Sequence, residues 1–389
     1  MTDKPSQYDA VTLASELMRC ESVTPHEAGA LTTLQNMLEP LGFTVHREIF
    51  REEGTEPVEN MYAQRGEGKP NLCFAGHVDV VPPGRLEKWD TPPFEPTIKD
   101  GVLYGRGAED MKGAIGAFVA ATKRFVDAYP QHDGAISYLI TCDEEGVAIN
   151  GTRKMLGWMQ ENNHQIDACI VGEPTNPTFM GEMAKIGRRG SVTFHLEVRG
   201  KQGHIAYPDN ADNPITRMVY ILQALKSHKL DHGTEFFPPS NLEITTIDVN
   251  NPTVNLIPGD VSAAFNVRFN NLHTSEQIVS WVREACEQYA DDFELKHHVT
   301  GEAFLTNDEQ LKSVVANAIE KVTGHVPDMS TTGGTSDARY IKDVCPVVEF
   351  GTTGHTPHQL NERVSVEALE QLADVYYAII CGYFGVSEG

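Results

Sequence analysis

The sequence has no long hydrophobic run. None of the apolar stretches in its 389 residues approaches the roughly 20 residues that a membrane-spanning helix needs. Residues 1–7 are polar and lack the apolar core of a secretory signal. The chain is therefore expected neither to span a membrane nor to be exported.

Positive charge and paired cysteines are also scarce. The 31 Lys and Arg residues face 55 Asp and Glu, and this net charge of −24 argues against nucleic acid as a partner, because phosphate binding needs a basic surface. The seven cysteines form no Cys-x-x-Cys pair, and several lie inside apolar runs, as inert thiols do. This usage predicts a protein of the reducing cytoplasm.

Three familiar functional motifs are missing. Gly105-Arg106-Gly107 lacks the third glycine of a dinucleotide-binding loop, and the sequence has neither a P-loop nor a Gly-x-Ser-x-Gly elbow. It also has no internal repeat and no low-complexity segment. The chemistry has to be sought in other residues.

Three short apolar runs lead into histidine or acidic residues. The runs 71–75, 135–141 and 168–171 precede Gly76-His77-Val78-Asp79, Asp143-Glu144-Glu145 and Gly172-Glu173-Pro174. Runs of this length and composition are typical of strands buried on both faces. Because ligands lie beyond the carboxyl ends of strands in open parallel sheets, these polar side chains are expected to face one crevice.

Asp110 lies where a turn opens into the apolar run 114–126. Taken alone, an Asp at this place is most simply the N-cap of a helix. Facing the acids of the crevice, it completes a cluster of carboxylates that repel one another unless cations lie between them. The simplest cation is a metal ion, so the cluster predicts a metal site.

Histidine together with carboxylates suits zinc, and also cobalt or manganese. Five ligands are available, more than one tetrahedral zinc with an open position requires: His77, Asp110, Glu145, Glu173 and one of the two histidines in residues 355–358. Two metals about 3.5–4 Å apart, bridged by the carboxylate of Asp110, fit this set better. The residues alone leave open which of the two later histidines takes part.

Two further acids have roles beside the metals. Glu144 has no metal to bind, and because neighbouring side chains diverge on a turn, it is expected to act as general base and acid on water and leaving group. Asp79 is placed to hold the second ring nitrogen of His77. The combination predicts amide hydrolysis, although any one of these acids alone is more often a solvated loop residue.

Strands and helices alternate in residues 1–187 and again in residues 302–389, which predicts an α/β domain with a largely parallel central sheet flanked by helices. Residues 188–301 show a βαββαβ order, which is typical of a small ferredoxin-like α+β domain. The sequence therefore predicts one discontinuous catalytic domain, 1–187 and 302–389, that an inserted domain, 188–301, interrupts.

Five of these motifs resemble the M20 family of di-zinc metallopeptidases and follow its order along the chain: Gly76 to Asp79, Gly105 to Gly113, Asp143 to Gly146, Gly172 to Pro174 and His358 to Glu362. The resemblance implies two Zn²⁺ per subunit, with Co²⁺ as a substitute at one site. It places His77 and Glu173 on one ion, Glu145 and His358 on the other, and Asp110 between them, with Glu144 as general acid and base. It also selects His358 over His355. Glu109 departs from the family, which usually has a small residue there, and either alters metal affinity or faces solvent.

Other segments are similar to the branch of that family that hydrolyses N-succinyl-LL-2,6-diaminopimelate to succinate and LL-2,6-diaminopimelate, in the synthesis of lysine and peptidoglycan precursors. They imply these substrate-binding residues: Arg188, Ser191, Asn255, Arg268, Gly334, Thr335 and Arg339. A substrate with three carboxylates suits three arginines, because guanidinium groups bind carboxylates bidentately.

His204 is, from the sequence alone, only a loop histidine of the inserted domain. By resemblance it reaches the active site of the partner subunit and stabilises the oxyanion, which implies a homodimer built through the inserted domain, acting as dimerisation and lid domain. Two alternatives stay open. One is another M20 deacylase, such as an N-acetylornithine deacetylase or an aminoacylase; the other is a non-catalytic metal- or ligand-binding protein on the same scaffold.

Overall fold

The structure, a computed structural model, describes residues 8–387. The polar segment 1–7 considered above lies outside the described residues. Within the described part, every helix is too short or too polar to cross a membrane.

The described residues form two compact units. The first unit consists of the chain up to Ile186, Thr306–Ser330 and the chain from Ser336 onward, and the inserted unit consists of Gly187–Leu305 and Thr331–Thr335. The catalytic role of residues 1–187 and 302–389, and the dimerisation and lid role of residues 188–301, stay predictions.

The elements follow one another in chain order. The first part of the chain forms α1 Ala10–Met18, α2 Ala30–Leu38, β1 Thr44–Phe50, β2 Val58–Glu67, β3 Asn71–His77, β4 Thr97–Lys99, β5 Val102–Tyr104, α3 Lys112–Ala128, β6 Gly134–Thr141, α4 Thr152–Glu161, β7 Ala168–Val171 and β8 Met183–Lys185. The inserted unit contributes β9 Gly187–Arg188, β10 Gly190–Arg199, β11 Gly203–His204, α5 Pro214–Ser227, β12 Asn241–Asp248, β13 Leu256–Ile257, β14 Asp260–Phe269, α6 Ser275–Tyr289, β15 Phe293–Gly301 and β16 Phe304–Leu305. The last part forms α7 Glu309–Thr323, β17 Asp328–Ser330, α8 Ala338–Ile341, β18 Val347–Glu349, β19 Arg363–Ser365 and α9 Val366–Phe384.

The first unit is built on a mixed sheet with the strand order β1-β2-β6-β3-β7-β18-β8-β17. Its centre is parallel: β3 pairs in parallel with β6 and with β7, and β7 with β18. Every residue of β3 and β6 is buried, as expected for strands covered on both faces. The predicted α/β class is thus confirmed, while the pairs β1–β2, β2–β6 and β8–β18 are antiparallel and make the sheet mixed.

The core against this sheet is aromatic. Phe74 of β3 stacks on Phe118 of α3, with ring centroids 4.3 Å apart, and both rings meet the edge of Tyr376 from α9. Helix α3 packs against both α1 and α9. This packing fixes the position of β3 relative to the turn before α3. The strand carries the predicted ligand His77, and the turn carries the predicted ligand Asp110.

The inserted unit has an antiparallel sheet in the order β12-β14-β10-β15. Its main elements follow the chain order β10, α5, β12, β14, α6, β15, which is the βαββαβ order that the sequence predicts. The inward residues of the strands form a core with α5 and α6, and within the sheet Phe194 of β10 stacks on Phe265 of β14, with ring centroids 5.1 Å apart. Helix α6 begins with a capping box of Thr274 and Gln277.

Candidate metal centre

The predicted metal ligands His77, Asp110, Glu145, Glu173 and His358 form two groups of three. The ligand atoms of His77, Asp110 and Glu173 lie within 4.8 Å of one another, and so do those of Asp110, Glu145 and His358. Asp110 belongs to both groups. His355 is exposed, and the groups found among residues 8–387 do not include it.

The first group lies at the ends of two parallel strands. His77 is the last residue of β3, and Glu173 follows β7 by two positions. Because the two strands are parallel, both side chains lie at the same edge of the sheet. Nε2 of His77 is 3.2 Å from Oδ1 of Asp110 and 3.9 Å from Oε1 of Glu173. The imidazole of His77 is buried, with 1% of its surface exposed.

The second group joins the other oxygen of Asp110 to a loop near the end of the chain. Nε2 of His358 is 3.4 Å from Oδ2 of Asp110 and 2.8 Å from Oε1 of Glu145. Unlike His77, the side chain of His358 is 53% exposed. Its backbone is left-handed, with φ of 64°, a conformation that the surrounding loop has to enforce.

Asp79 orients both neighbouring segments. Its backbone carbonyl lies 2.9 Å from Nδ1 of His77, and its Oδ1 lies 3.6 Å from the same nitrogen. Its carboxylate accepts hydrogen bonds from the backbone N–H groups of Glu144 and Glu145, at 3.4 and 3.1 Å. The carboxylate therefore positions the turn after β6, while the backbone carbonyl of Asp79 makes the hydrogen bond with the imidazole.

Burial and crowding of negative charge dominate the electrostatics of the cluster. Burial raises the pKa of Glu144 to about 8, and the carboxylates of Asp337, Asp110 and Glu145 add to this against the opposing effect of His77. Burial, followed by the charges of Asp110 and Glu144, raises the pKa of Glu173 well above its usual range.

The two histidines and the carboxylates next to them shift one another's pKa values. Burial disfavours the anion of Asp110, but its hydrogen bonds with His358 and His77 outweigh burial and lower its pKa. Hydrogen bonds to Asp110 and Glu145 raise the pKa of His358 to about 10. Crowded carboxylates beside two imidazoles form a donor set that a divalent transition metal fits, because the ion supplies balancing positive charge.

Glu362 anchors the turn that presents Asp110. Its Oε1 accepts hydrogen bonds from the backbone N–H groups of Glu109, at 2.9 Å, and Asp110, at 3.1 Å, and its Oε2 pairs with the buried Arg106 at 2.7 Å. Helix α3 begins only at Lys112, so Asp110 is not its N-cap. The peptide bond between Asp110 and Met111 is cis. This function of Glu362 was not predicted from the sequence, although the residue closes the motif that starts at His358.

Glu109 is fully buried and does not face solvent. Its Oε2 accepts hydrogen bonds from the backbone N–H of Thr356, at 2.9 Å, and from the Thr356 hydroxyl. Burial raises the pKa of Glu109 to about 7, against these hydrogen bonds. The exposed alternative considered above is therefore wrong.

Arg339 and Asp337 lie in the first unit near Glu144. Nη2 of Arg339 is 3.9 Å from Oδ1 of Asp337, and the hydroxyl of Thr152 donates to Oδ2 of Asp337 at 2.6 Å. The charge of Asp337 raises the pKa of Glu144, and the charge of Glu144 in turn raises the pKa of Arg339. Asp337 was likewise not predicted as a site residue, although it lies between the predicted residues Thr335 and Arg339.

The other predicted substrate-binding residues belong to the inserted unit. Nη1 of Arg188 donates to the carbonyl of Gly334 at 3.1 Å, next to Thr335 in the chain. Ser191 and Arg268 face each other as cross-strand partners of β10 and β14.

His204 and Asn255 lie close together at another place in the inserted unit. His204 is in the short ladder of β11 and β13, and the N–H of Ile205 donates to the carbonyl of Asn255 at 3.2 Å. The side chain of His204 accepts a hydrogen bond of 3.0 Å from the N–H of Ala206.

Known proteins are similar to this chain in sequence and in fold. The pattern of peptidase family M20/M25/M40 matches residues 73–381. A succinyl-diaminopimelate desuccinylase from Rhodospirillum centenum is 51% identical to the chain over 380 residues, which cover 98% of each protein.

Two solved structures show the same fold at low sequence identity. An aminopeptidase from Bacillus cereus matches with a TM-score of 0.77 and 20% identity, over 97% of this chain and 99% of its own. A dinuclear metal-binding peptidase of the M20 family from Bacillus subtilis matches with a TM-score of 0.68 and 16% identity, over 95% and 97%.

Proposed function

The chain belongs to peptidase family M20/M25/M40, and we propose that it is a metal-dependent hydrolase that converts N-succinyl-LL-2,6-diaminopimelate and water to succinate and LL-2,6-diaminopimelate. One observation carries the chemistry: two groups of three ligand atoms share the carboxylate of Asp110. The choice of substrate rests on the desuccinylase that is 51% identical over nearly its full length. A step of precursor synthesis also favours the cytoplasm as its location.

The two groups would hold two zinc ions, with cobalt as a substitute at one position. His77, Asp110 and Glu173 would bind the first ion, and Asp110, Glu145 and His358 the second. When bound, the ions supply Lewis-acid chemistry, which polarises an amide carbonyl and makes water acidic near neutral pH.

Glu144 moves the proton. Its carboxylate accepts a proton from the attacking water and delivers it to the nitrogen of the leaving amine as the carbon–nitrogen bond breaks. Burial and the neighbouring carboxylates raise the pKa of Glu144, and a cation in the site would lower it and favour the carboxylate form that accepts the proton. Asp79 holds the turn of Glu144 in place through the backbone.

Arginines recognise the substrate carboxylates in this proposal. Arg339 lies in the first unit beside Asp337, while Arg188 and Arg268 lie in the inserted unit, where Ser191 faces Arg268. A guanidinium binds a carboxylate through two parallel hydrogen bonds. These positions would distinguish N-succinyl-LL-2,6-diaminopimelate, with three carboxylates, from N-acetylornithine, which has one.

The direct test is amide hydrolysis by the purified, zinc-loaded protein, with N-succinyl-LL-2,6-diaminopimelate and N-acetylornithine side by side and a chelator-treated control. Chelator-sensitive hydrolysis of the succinyl compound alone is expected. Hydrolysis of the acetyl compound alone contradicts the assignment of the arginines. Hydrolysis of neither supports the non-catalytic alternative.

We further propose a homodimer in which His204 completes the site of the partner subunit. Helix α5 of the inserted unit exposes Val219 and Tyr220, at 54% and 52%, and the edge strand β12 exposes Ile247 at 55%. Such exposed apolar residues are typical of a surface that another chain covers. Mixing inactive His204→Ala and Glu144→Gln proteins tests the proposal, because exchanged dimers regain one complete site only if His204 acts on its partner. A monomer in solution, or no regained activity after subunit exchange, contradicts it.

A further inference from the structure

We propose that Glu109 is a positioning residue whose buried carboxylate fixes the loop of His358 and thereby sets metal affinity at the group of Asp110, Glu145 and His358. The inference rests on the proposed function only in taking that group as a metal position. Metal affinity at the first group, which contains His77 and Glu173, is not expected to depend on the Glu109 side chain.

The carboxylate of Glu109 is built into the loop that precedes His358. Its Oε2 accepts two hydrogen bonds from Thr356, two positions before His358, one from the backbone and one from the hydroxyl. The loop backbone also packs on it: a Cβ at Gly354 would lie 2.8 Å from both carboxylate oxygens, and φ of Gly354 is 141°. Only a glycine allows this approach, so loop and carboxylate fit each other closely.

His358 lies between two anchored parts of its loop. Glu109 holds Thr356 on one side, and Nη1 of Arg106 donates to the carbonyl of Gln359 at 3.2 Å on the other side of His358. More than half of its side chain is exposed, and its left-handed backbone has to be imposed by neighbouring structure. The hydroxyl oxygen of Thr356 also accepts a hydrogen bond of 3.1 Å from the backbone N–H of Arg363, the first residue of β19. Glu109 and Thr356 thus connect the loop to fixed structure on both sides of His358.

The turn of Asp110 is held by different bonds. The backbone N–H groups of Glu109 and Asp110 donate to Glu362, and the carbonyl of Glu109 accepts from the hydroxyl of Thr352 at 2.6 Å. None of these bonds uses the Glu109 side chain. Its truncation therefore releases the loop of His358 while Asp110 keeps its anchors.

The test titrates Co²⁺ alone into metal-stripped full-length protein, by calorimetry and by the visible absorption of bound cobalt. The variants are Glu109→Ala, Glu109→Gln, Thr356→Val and the double variant Glu109→Ala/Thr356→Val. Glu109→Gln is the matched control, because its amide oxygen still accepts both hydrogen bonds from Thr356. Thermal unfolding of each stripped protein shows whether it is folded.

The wild type is expected to bind two ions. In Glu109→Ala, one ion should bind 10–100-fold more weakly and the other within about twofold of wild type, in the range found when outer partners of a metal ligand are removed. Glu109→Gln should restore most of the affinity. Thr356→Val should weaken the same ion, and the double variant should be no worse than Glu109→Ala.

Three results would overturn the inference while leaving the proposed function intact: unchanged affinity for both ions in Glu109→Ala, equal weakening of both ions, or a Gln variant as weak as the Ala variant. Should Glu109→Ala not fold, Thr356→Val decides, and wild-type affinities in that variant also refute the inference. A wild type that binds fewer than two ions overturns both proposals. The titration needs no substrate, so the substrate assignment does not affect it.

Discussion

Asp79 and Glu145, 66 positions apart, are joined by a hydrogen bond of 3.1 Å from the backbone N–H of Glu145 to Oδ2 of Asp79. The other oxygen of this buried carboxylate accepts from the N–H of Glu144. One side chain at the end of β3 therefore fixes the turn after β6, which presents both the proposed base and a proposed metal ligand.

Replacing Asp79 by Asn should impair catalysis and metal binding together. An asparagine directs its NH₂ group at one of the two N–H donors, so one hydrogen bond is lost and the turn shifts. We expect metal affinity to fall about 10–100-fold, with a parallel loss of kcat. Metal titration and steady-state kinetics measure both, with the exposed Asp133→Asn as control. Wild-type values for both quantities would contradict this function of Asp79.

Glu144→Gln should separate chemistry from metal binding. The substitution keeps the size of the side chain but removes the proton carrier, so kcat should fall by roughly 10²–10⁴, while both metals stay bound. Kinetics and elemental analysis of the same sample provide the comparison, and Glu53→Gln at an exposed position is the matched control. If Glu144→Gln keeps near wild-type kcat, the proton belongs to another residue.

Glu173→Ala and His358→Ala should each remove a different metal. Glu173 belongs only to the first group and His358 only to the second, so each variant should keep one ion after dialysis. The midpoint of thermal unfolding should fall on addition of chelator, because an ion at 100 times its Kd stabilises the fold by about 2.7 kcal/mol. Two ions retained in either variant, by elemental analysis, would remove that residue from the ligand set.

The inserted unit should lose stability in acid through Asp231. Burial opposes its anion, but hydrogen bonds from Ser240, the N–H of Gly233 and Asn270 outweigh burial and lower its pKa from 3.8 to about 2. Because the folded pKa is the lower one, this stabilisation is present above the unfolded pKa and disappears as pH falls from about 5 toward 2. It amounts to roughly 2 kcal/mol.

Urea unfolding of wild type and Asp231→Asn, over the same pH range, isolates this effect from the other carboxyls. The difference in unfolding free energy between the two proteins should shrink as pH falls. A difference that does not depend on pH would show that Asp231 titrates alike in the folded and unfolded chain.

Local patterns explain why much of the site was predictable. The runs before His77, Glu144 and Glu173 are short and apolar, and each forms one whole strand. The sequence therefore predicts the strands and also the edge of the sheet at which they end. Helix α6 spans residues 275–289, and the Thr274 and Gln277 pattern that caps its start can be read in the sequence. Family and fold class were correct for the same reason.

Long-range pairing explains what was missed. The hydrogen bonds that Glu362 accepts join residues 252 and 253 positions apart, and no periodicity records such a contact. Strands of three residues, such as β8 and β17, are too short for a pattern, and the antiparallel pairing of β2 with β6 depends on tertiary packing. The burial of Glu109 likewise depends on a loop near the end of the chain.

The bonds between Glu362 and the Asp110 turn also determine when the site can form during synthesis. In a nascent chain, Asp110, Glu145 and Glu173 leave the ribosome long before His358 and Glu362, and β18 is still missing from between β7 and β8. Domains fold in the order in which they are made, yet this carboxylate cluster lacks a central strand, a histidine and a backbone anchor until residues 347–362 emerge. The proposed metal position with His358 can therefore form only after residues 358–362 have left the ribosome, and a chain that stops before them carries the acids without this histidine.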